Sequence, residues 1–358
     1  MENKKNEVRN TIQINKISES TKKSFKVRVI SALIALVIVV PALFLGDWAF
    51  LAVIVFALGV GVVELIKCAK KKYSRWSYVA TFVFTLAIVL WPMVGMLVFH
   101  PGTFWDVGHV YSGYDRLYIP VIAVVASIFA LFYVIMWDEN FTVRDACFIF
   151  TIGLLVAMGL QSLLFLRFFP TAGIFNFNGA DYGAFYNYEN TIGSMWLILY
   201  LLIATFGTDI GAYAFGILFG HEKVNPRISP NKTWGGFWGG LIVSAFLSML
   251  FAFIMALTGN PIMPVRTYNG VTGSIFDLEH WYNIVVLSLI IPPFATLGDF
   301  VFSAIKRFFE IKDFGNIMPG HGGILDRIDS LIFSSLIMAA YVVVAFAIQT
   351  GSFTFLLI

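Results

Sequence analysis

The chain contains 358 residues, of which 59% are hydrophobic and only 13% are charged. A typical soluble domain is about 45–50% apolar and about 25% charged, so this composition excludes both a soluble single-core protein and a disordered chain. The 24 basic and 21 acidic residues leave a net charge of +3, which argues against nucleic-acid binding. We therefore predict an all-α, polytopic membrane protein.

Nine stretches of the sequence are apolar and long enough to cross a membrane, for which a helix needs about 20 residues. We predict transmembrane helices at 29–46, 48–66, 78–99, 118–136, 146–168, 195–219, 236–258, 283–305 and 330–349. The polar segment 1–27 before them is predicted to be a flexible cytoplasmic tail. We divide the rest into N-terminal transmembrane helices with external loops (28–190) and a C-terminal catalytic region (191–358).

The basic residues are distributed unevenly between the two sides of this helix arrangement. Of the 24 Lys and Arg residues, only Arg116, Arg167 and Arg266 fall on one side. Cytoplasmic loops carry the excess of Lys and Arg, so the N-terminus is predicted to be cytoplasmic and the C-terminus external. We expect a multi-pass protein of the cell membrane whose polar site faces the cytoplasm.

The sixth predicted span contains an ionisable residue, Asp209, within the sequence TDIGAYAFGILFG. Charged groups inside membrane helices are costly, so this one indicates a functional site. At 100° per residue, Asp209, Tyr213 and Gly216 share one helix face. Close helix packing also explains the glycines of this span, but it does not explain the aspartate.

The loop after this span contains Lys232 and Thr233 next to a glycine pair. An ammonium group and a hydroxyl beside permissive backbone can hold phosphate oxygens, although the segment is not a P-loop. A positively charged cytoplasmic loop without any ligand explains the same residues equally well. The glycines that begin the next span indicate helix packing rather than a ligand cradle.

One face of the eighth span is polar near its cytoplasmic end. It combines a carboxylate, a hydroxyl and two cations, which are Asp299, Ser303, Lys306 and Arg307. Apolar residues cover the other faces, so these groups converge on one side of the helix. A single charge there is typical of a snorkelling interfacial residue, but such a clustered set is not.

A glycine-rich turn and a second polar face follow. The turn 319–323 has the backbone freedom needed to direct N–H groups at an anion. Asp326 and Asp329 then share one face at the start of the ninth span, with Arg327 beside them. Carboxylates without a His or Cys cluster suit a hard cation such as Mg²⁺. A magnesium site beside several cations indicates a polyphosphate substrate.

These motifs resemble those of a known enzyme family. The signature of the phosphatidate cytidylyltransferases, also called CDP-diacylglycerol synthases, is similar to the run Ser303-x-x-Lys306-Arg307, Lys312-Asp313, Pro319-Gly320-His321-Gly322-Gly323 and Asp326-Arg327-x-Asp329. Other blocks of that family are similar to Asp209-x-x-Ala212-Tyr213 and Ser229-Pro230-Asn231-Lys232-Thr233-Trp234. Gly235 departs from the pattern, because the family usually has a glutamate at this position.

The resemblance implies transfer from CTP to phosphatidate, giving CDP-diacylglycerol and pyrophosphate for phospholipid biosynthesis. It implies dependence on Mg²⁺ bound by Asp299 and Asp326, and leaves a second cation open. The implied catalytic residues are Asp299, Lys306, Arg307, Asp326 and Asp329. The implied substrate-binding residues are Asp209, Tyr213, Ser229, Lys232, Thr233, Ser303, Lys312, His321, Gly322, Gly323 and Arg327.

Two other functions use similar residues. A CTP-dependent kinase acting on a polyprenol or another lipid would also need a metal, a cytidine nucleotide and access from the bilayer. A cation-coupled transporter could use Asp209 and Asp299, but transport predicts buried charges near the membrane midplane, whereas most charges here lie at the cytoplasmic ends. The expected partners are CTP, phosphatidate and membrane lipid, and both a monomer and a homodimer fit the sequence.

Overall fold

The computed structural model of the protein describes residues 19–45, 47–99, 118–168, 189–258, 262, 266–268, 271–273, 281–320 and 322–350. These residues contain nine α-helices, which are α1 Glu19–Leu45, α2 Asp47–Lys67, α3 Arg75–Phe99, α4 Tyr118–Trp137, α5 Val143–Phe168, α6 Glu189–Phe219, α7 Trp234–Leu257, α8 Trp281–Phe308 and α9 Leu325–Thr350. They also contain two short antiparallel hairpins, β1 Lys223–Asn225 with β2 Ser229–Thr233, and β3 Arg266–Tyr268 with β4 Val271–Gly273.

The helices confirm the prediction of an all-α, polytopic membrane protein. Seven of them (α2 and α4 to α9) are long and apolar enough to cross a membrane. The other two contain shorter apolar stretches within the described side chains, Leu33–Leu45 in α1 and Arg75–Trp91 in α3. The predicted count of nine spans is therefore approximate, although each predicted span overlaps one of the nine helices described. Helix α1 already begins at Glu19, within the predicted tail 1–27, and residues 1–18 lie outside the described residues.

Glycines allow α6 and α7 to pack with their backbones in contact. A Cβ atom added to Gly211 would lie 2.8 Å from the carbonyl oxygen of Gly239, and one added to Gly240 would lie 2.8 Å from that of Thr208. Larger residues at these positions would force the helices apart. The glycines that begin α7 thus serve helix packing, as the sequence indicated.

The N-terminal and C-terminal regions share one core. The most buried of the spans are α5 and α6, whereas α4 lies at the periphery. Ser335 of α9 donates a hydrogen bond to the carbonyl oxygen of Gly159 in α5 (2.9 Å), and a Cβ atom added to Gly159 would lie 2.5 Å from Ile332. The close approach of α5 and α9 places the predicted catalytic region directly against the N-terminal helices.

The basic loops predicted to be cytoplasmic meet at one end of the bundle. Lys71, between α2 and α3, forms a 2.6 Å ion pair with Asp145 at the start of α5. The guanidinium of Arg144 lies 4.8 Å from the ring centroid of Phe308 at the end of α8. Both contacts join segments that the charge pattern assigned to the same side.

Asp138 links the turn after α4 to the start of α3. Its buried carboxylate accepts hydrogen bonds from the backbone N–H of Ser74 (2.6 Å), the hydroxyl of Ser77 (3.2 Å) and the backbone N–H of Asn140 (3.1 Å). Burial alone would raise the pKa of this carboxyl, but the hydrogen bonds outweigh burial and hold the pKa of Asp138 below its ordinary value. The ionised carboxylate therefore stabilises the contact between these loops.

Candidate active site

The β1–β2 hairpin brings Lys232 against α8. Its Nζ atom lies 2.5 Å from Oδ2 of Asp299 and 4.3 Å from the ring centroid of Phe300. The hydroxyl of Ser303 donates to Oδ1 of the same aspartate (3.1 Å). The side chains of Lys232 and Asp299 are 24% and 31% exposed, so a polar ligand can reach both. Residues predicted from two separate motifs are thus joined in one cluster.

Two further carboxylates lie near this cluster. Asp209 of α6 and Asp329 of α9 are each within electrostatic range of Asp299. Asp209 is also within range of Lys232 and Arg327. Asp329 is buried, and its Oδ1 atom accepts a hydrogen bond from the backbone N–H of the next residue (2.7 Å). Helices α6, α8 and α9 therefore each contribute one aspartate to a region that also contains the ammonium group of Lys232.

Lys306 and Asp326 form a buried ion pair between α8 and α9. The Nζ atom lies 2.8 Å from Oδ1, and the two side chains are 12% and 2% exposed. The second carboxylate oxygen accepts hydrogen bonds from the backbone N–H groups of Phe314 (2.8 Å) and Gly323 (3.0 Å). Both oxygens of Asp326 are thus engaged, and its carboxylate fixes the two ends of the loop between α8 and α9.

That loop lines a cavity of about 470 Å³. The lining residues are Lys312, Asp313, Asn316, Met318, Pro319, Gly320, Gly322 and Arg327. Paired backbone hydrogen bonds between Met318 and Gly322 close the turn. Gly320 and Gly322 have φ angles of 77° and 86°, a region that favours glycine, so the turn depends on both residues. The cavity brings Lys312, Gly322 and Arg327 together, as their shared motif predicted.

Other predicted residues lie around this site in different settings. Arg307 is exposed and donates to the carbonyl oxygen of Ile228 in the hairpin (3.4 Å). Tyr213 is 74% exposed on α6. Ser229 is half-buried at the start of β2. The remaining predicted residue of the turn, His321, lies outside the described residues.

Thr233 has a structural role that accounts for its hydroxyl. It is the N-cap of α7, where its Oγ1 atom accepts a hydrogen bond from the backbone N–H of Gly236 (3.1 Å). The residue is only 5% exposed. A capping hydroxyl of this kind stabilises a helix by about 1 kcal/mol. Contact between Thr233 and a phosphate stays a prediction, and the cap explains the threonine without it.

Gly235 lies where the first turn of α7 touches the end of α6. A Cβ atom added there would lie 2.5 Å from the carbonyl oxygen of Phe219 and 3.2 Å from the backbone nitrogen of Gly220. A glutamate would therefore require the two helix ends to separate. The glycine that replaces the glutamate expected from the resemblance thus lies at a close contact between the two helix ends.

The site has the right chemistry for a hard cation but no ready set of ligands. Within the described ranges, no group of three or more His, Cys, Asp or Glu side chains is arranged to hold a metal ion. Asp299 is the better candidate ligand, because its side chain is 31% exposed and lies near other carboxylates, but the Lys232 ammonium and the Ser303 hydroxyl that bind its oxygens would have to move. Asp326 does not fit in this arrangement, because its oxygens already bind Lys306 and two backbone N–H groups.

Sequence reasoning gave no role to three residues of this region. Asp313 and Asn316 line the cavity; Asp313 belongs to the run that resembles the family signature, whereas Asn316 is an ordinary polar loop residue in the sequence. Glu64 of α2 is buried and binds the backbone N–H groups of Ile324 and Leu325, at the junction between the loop and α9. Its position inside an apolar span was a signal, because such a charge requires a partner.

The fold and this site define a multi-pass helical membrane protein with a cluster of lysines, arginines and aspartates beside a glycine-lined turn, a combination suited to phosphate groups. The family model described as "Cytidylyltransferase family" matches residues 26–345. The chain therefore belongs to the cytidylyltransferase family.

Curated relatives carry a more specific name. A protein named phosphatidate cytidylyltransferase from Staphylococcus aureus (strain COL) is 29% identical over 308 residues, which cover 86% of this chain and 95% of that protein. One of the same name from Bacillus subtilis (strain 168) is 32% identical over 212 residues, 59% of this chain and 64% of that protein. A third protein of this name, from Staphylococcus haemolyticus (strain JCSC1435), is 40% identical over 151 residues. These residues are 42% of this chain, and the chain spans half the length of that protein.

Proposed function

We propose that the protein transfers the cytidylyl group of CTP to phosphatidate, which forms CDP-diacylglycerol and releases pyrophosphate. The observation that carries this proposal is the cavity beside the Lys306–Asp326 pair, with Lys312 and Arg327 in its wall. Cations around a closed, glycine-containing turn suit a triphosphate. Membership of the cytidylyltransferase family and the names of the relatives support the same reaction.

The chemistry requires positioning more than proton transfer. A phosphate oxygen of phosphatidate attacks the α-phosphorus of CTP, the bond from that phosphorus to the bridging oxygen breaks, and pyrophosphate leaves with the electron pair. A phosphate monoester is already largely ionised near neutral pH, so no general base is needed. The protein must hold two anions together and offset their charge.

The cations of the site divide between two places. Lys312 and Arg327 lie in the cavity wall, where they can bind the nucleotide phosphates. Lys232 lies beside Asp299 on the hairpin side, where it can bind a phosphate of either substrate. Lys306 already neutralises Asp326, so we assign it first to holding that carboxylate and the loop that it fixes.

Mg²⁺ is part of this proposal. When bound, it would offset the charge of the phosphates during transfer. Asp299 is the best-placed ligand, because it is partly exposed and lies near Asp209 and Asp329. Binding to Asp299 requires Lys232 to move aside, and binding to Asp326 as well, as the sequence predicts, requires the buried ion pair with Lys306 to open. A second cation and a homodimer stay predictions.

The lipid substrate can reach the site from the side of the bundle. Asp209 and Tyr213 are exposed on α6 next to Ile210 and Ile217, which are 63% and 65% exposed. In a membrane protein, such a surface contacts acyl chains rather than water. We propose that phosphatidate enters along this apolar face with its phosphate directed at the charged cluster.

We also propose that the protein lies in the cell membrane with this site on the cytoplasmic side, where CTP is available. Labelling of an introduced cysteine, Asn231→Cys, tests the orientation in intact cells. The exposed Cys147 is first replaced by serine, whereas Cys68 is buried, with a pKa that burial raises to about 12, and can stay. An impermeant thiol reagent should label Asn231→Cys only after lysis. Labelling in intact cells would contradict the proposed orientation and place this loop outside the cell.

Release of pyrophosphate tests the reaction. Purified protein with CTP and Mg²⁺ should release pyrophosphate only when phosphatidate is added. A lipid kinase would release CDP instead, and a transporter would release neither product.

A further inference from the structure

Glu64 is a buried charge that the proposed chemistry does not use. It lies on α2, is 5% exposed, and belongs to the N-terminal half of the chain. Its Oε1 atom accepts a hydrogen bond from the backbone N–H of Ile324 (3.0 Å), and its Oε2 atom accepts one from that of Leu325 (2.9 Å). Both oxygens therefore bind the start of α9, 260 residues further along the chain.

This contact replaces an ordinary helix cap. The first N–H groups of a helix have no partner within the helix, and a nearby Ser, Thr, Asp or Asn usually binds one of them. Here a carboxylate from another helix binds the first N–H group of α9, that of Leu325, and the N–H group of Ile324 just before it, and the positive end of the helix dipole favours its negative charge. An ionised carboxylate is costly to bury without such bonds, so each partner stabilises the other.

Glu64 also contacts both ends of the loop that lines the cavity. A Cβ atom added to Gly315 would approach Oε1 of Glu64 to 2.4 Å, and one added to Gly323 would approach it to 2.5 Å. The middle of the loop is supported from the same half of the chain, because Ser31 of α1 donates to the carbonyl oxygen of Pro319 (3.1 Å). The loop is thus held against Glu64 without room for a side chain at these glycines.

The two buried carboxylates act on the same loop. Asp326 binds the backbone N–H groups of Phe314 and Gly323, and Glu64 binds the next two N–H groups along the chain, those of Ile324 and Leu325. Four backbone N–H groups in or just after the loop therefore depend on two carboxylates. Only Asp326 belongs to the motif that the sequence identified.

We propose that Glu64 is a positioning residue, which holds the loop 312–324 in the shape that forms the cavity and so sets the affinity for the nucleotide. This inference rests on the proposed function in one respect, which is that CTP is the ligand of the cavity. Glu64 itself touches no reacting atom. Its removal should loosen the loop and weaken CTP binding, while binding of phosphatidate from the bilayer side changes little.

Hydrogen exchange of the full-length protein in lipid nanodiscs tests the effect on the loop without any assay of activity. Glu64→Gln should speed exchange in a peptide covering 312–327 by about tenfold or more, the effect of losing one hydrogen bond to a charged group. Asp138→Asn is the matched control, because it also alters a buried carboxylate that binds a remote backbone N–H. The control should leave exchange in 312–327 unchanged.

Kinetics give the second readout. Glu64→Gln should raise the KM for CTP by about tenfold, with the KM for phosphatidate unchanged, because the lost bond to a charged group acts on the loop alone. Equal changes in both KM values, or unchanged exchange in 312–327, would overturn the proposal. A wild-type protein without transferase activity would instead contradict the proposed function, and the exchange experiment would still decide the role of Glu64.

A double variant distinguishes loss of the specific contact between Glu64 and Gly315 from general misfolding. Gly315→Ala alone should be damaging, because its new Cβ atom meets the Glu64 carboxylate. In a Glu64→Ala background the same change should add little, because the space is then open. Additive increases in the exchange rate of 312–327 would contradict the proposed contact.

Discussion

The buried ion pair between Lys306 and Asp326 makes a prediction that separates folding from chemistry. Asp326→Asn keeps the size of the side chain but removes its charge. The amide oxygen can still accept from the backbone N–H groups of Phe314 and Gly323, which directs the amide NH₂ group at the Lys306 ammonium. The ammonium of Lys306 then faces the NH₂ group, a hydrogen-bond donor, where it had faced a carboxylate oxygen. Its side chain is only 12% exposed, so water cannot fully replace the lost partner.

The cost of this change can be estimated from the burial of the pair. Removing one partner of a buried pair costs about 3–5 kcal/mol, because the remaining charge is uncompensated. At roughly 2–4 °C per kcal/mol, the thermal midpoint should fall by about 10 °C. Intrinsic tryptophan fluorescence of the purified protein measures this midpoint.

A second variant separates the two effects. Lys306→Met combined with Asp326→Asn removes both charges, so it should regain much of the lost stability. It should not regain transferase activity, because the cation and the carboxylate are both absent. If the single Asp326→Asn variant were as stable as the wild type, the assignment of a buried ion pair would be refuted. If the double variant were active, neither Lys306 nor Asp326 would be required for catalysis.

Three further predictions concern the surrounding residues. Lys232→Ala should raise the KM for CTP or lower kcat with little loss of stability, because the pair with Asp299 is partly exposed; Lys223→Ala in the same hairpin is the control, and an unchanged kcat/KM would leave Lys232 a purely structural role. Asp299→Asn should abolish pyrophosphate release at every Mg²⁺ concentration with a near-normal thermal midpoint, and near-normal activity at low Mg²⁺ would exclude it as a ligand. The pKa of Asp138 is lowered because its hydrogen bonds, including that from Ser74, outweigh burial, so its stabilising effect is complete above its unfolded pKa and is lost as pH falls through the lower folded pKa. The difference in thermal midpoint between wild type and Asp138→Asn should therefore shrink on acidification below about pH 4, and a difference independent of pH would contradict the ionised form.

Hydropathy alone predicts most of the fold, because a membrane-spanning helix must be apolar for about 20 residues. The fourth predicted span, 118–136, nearly coincides with α4, Tyr118–Trp137. The ninth was predicted to begin at 330, whereas α9 begins at Leu325. Its first turn carries charges that look unsuited to a membrane helix. The charge of Asp326 is paired with Lys306 of α8, and the backbone N–H of Leu325 is bound by Glu64 of α2, so both partners lie outside the local sequence.

The residues of the candidate site also fall into a group that the sequence could predict and a group that it could not. Residues in one motif, such as Lys312 and Arg327, are brought together by a local turn and could be predicted as a group. Long-range contacts could not, because no local pattern links Glu64 to the start of α9. Local sequence also could not separate two uses of one group, since the hydroxyl of Thr233 suits a phosphate and caps α7.

The central claim is that the α-phosphorus of CTP is transferred to phosphatidate, and the fate of each phosphate tests it most directly. The protein is incubated with Mg²⁺, phosphatidate and CTP labelled with ³²P at either the α- or the γ-position, and the lipid is then extracted. The account predicts that the α-label enters the lipid as CDP-diacylglycerol and that the γ-label stays in the water phase as pyrophosphate. Entry of the γ-label into the lipid would contradict it and show a kinase.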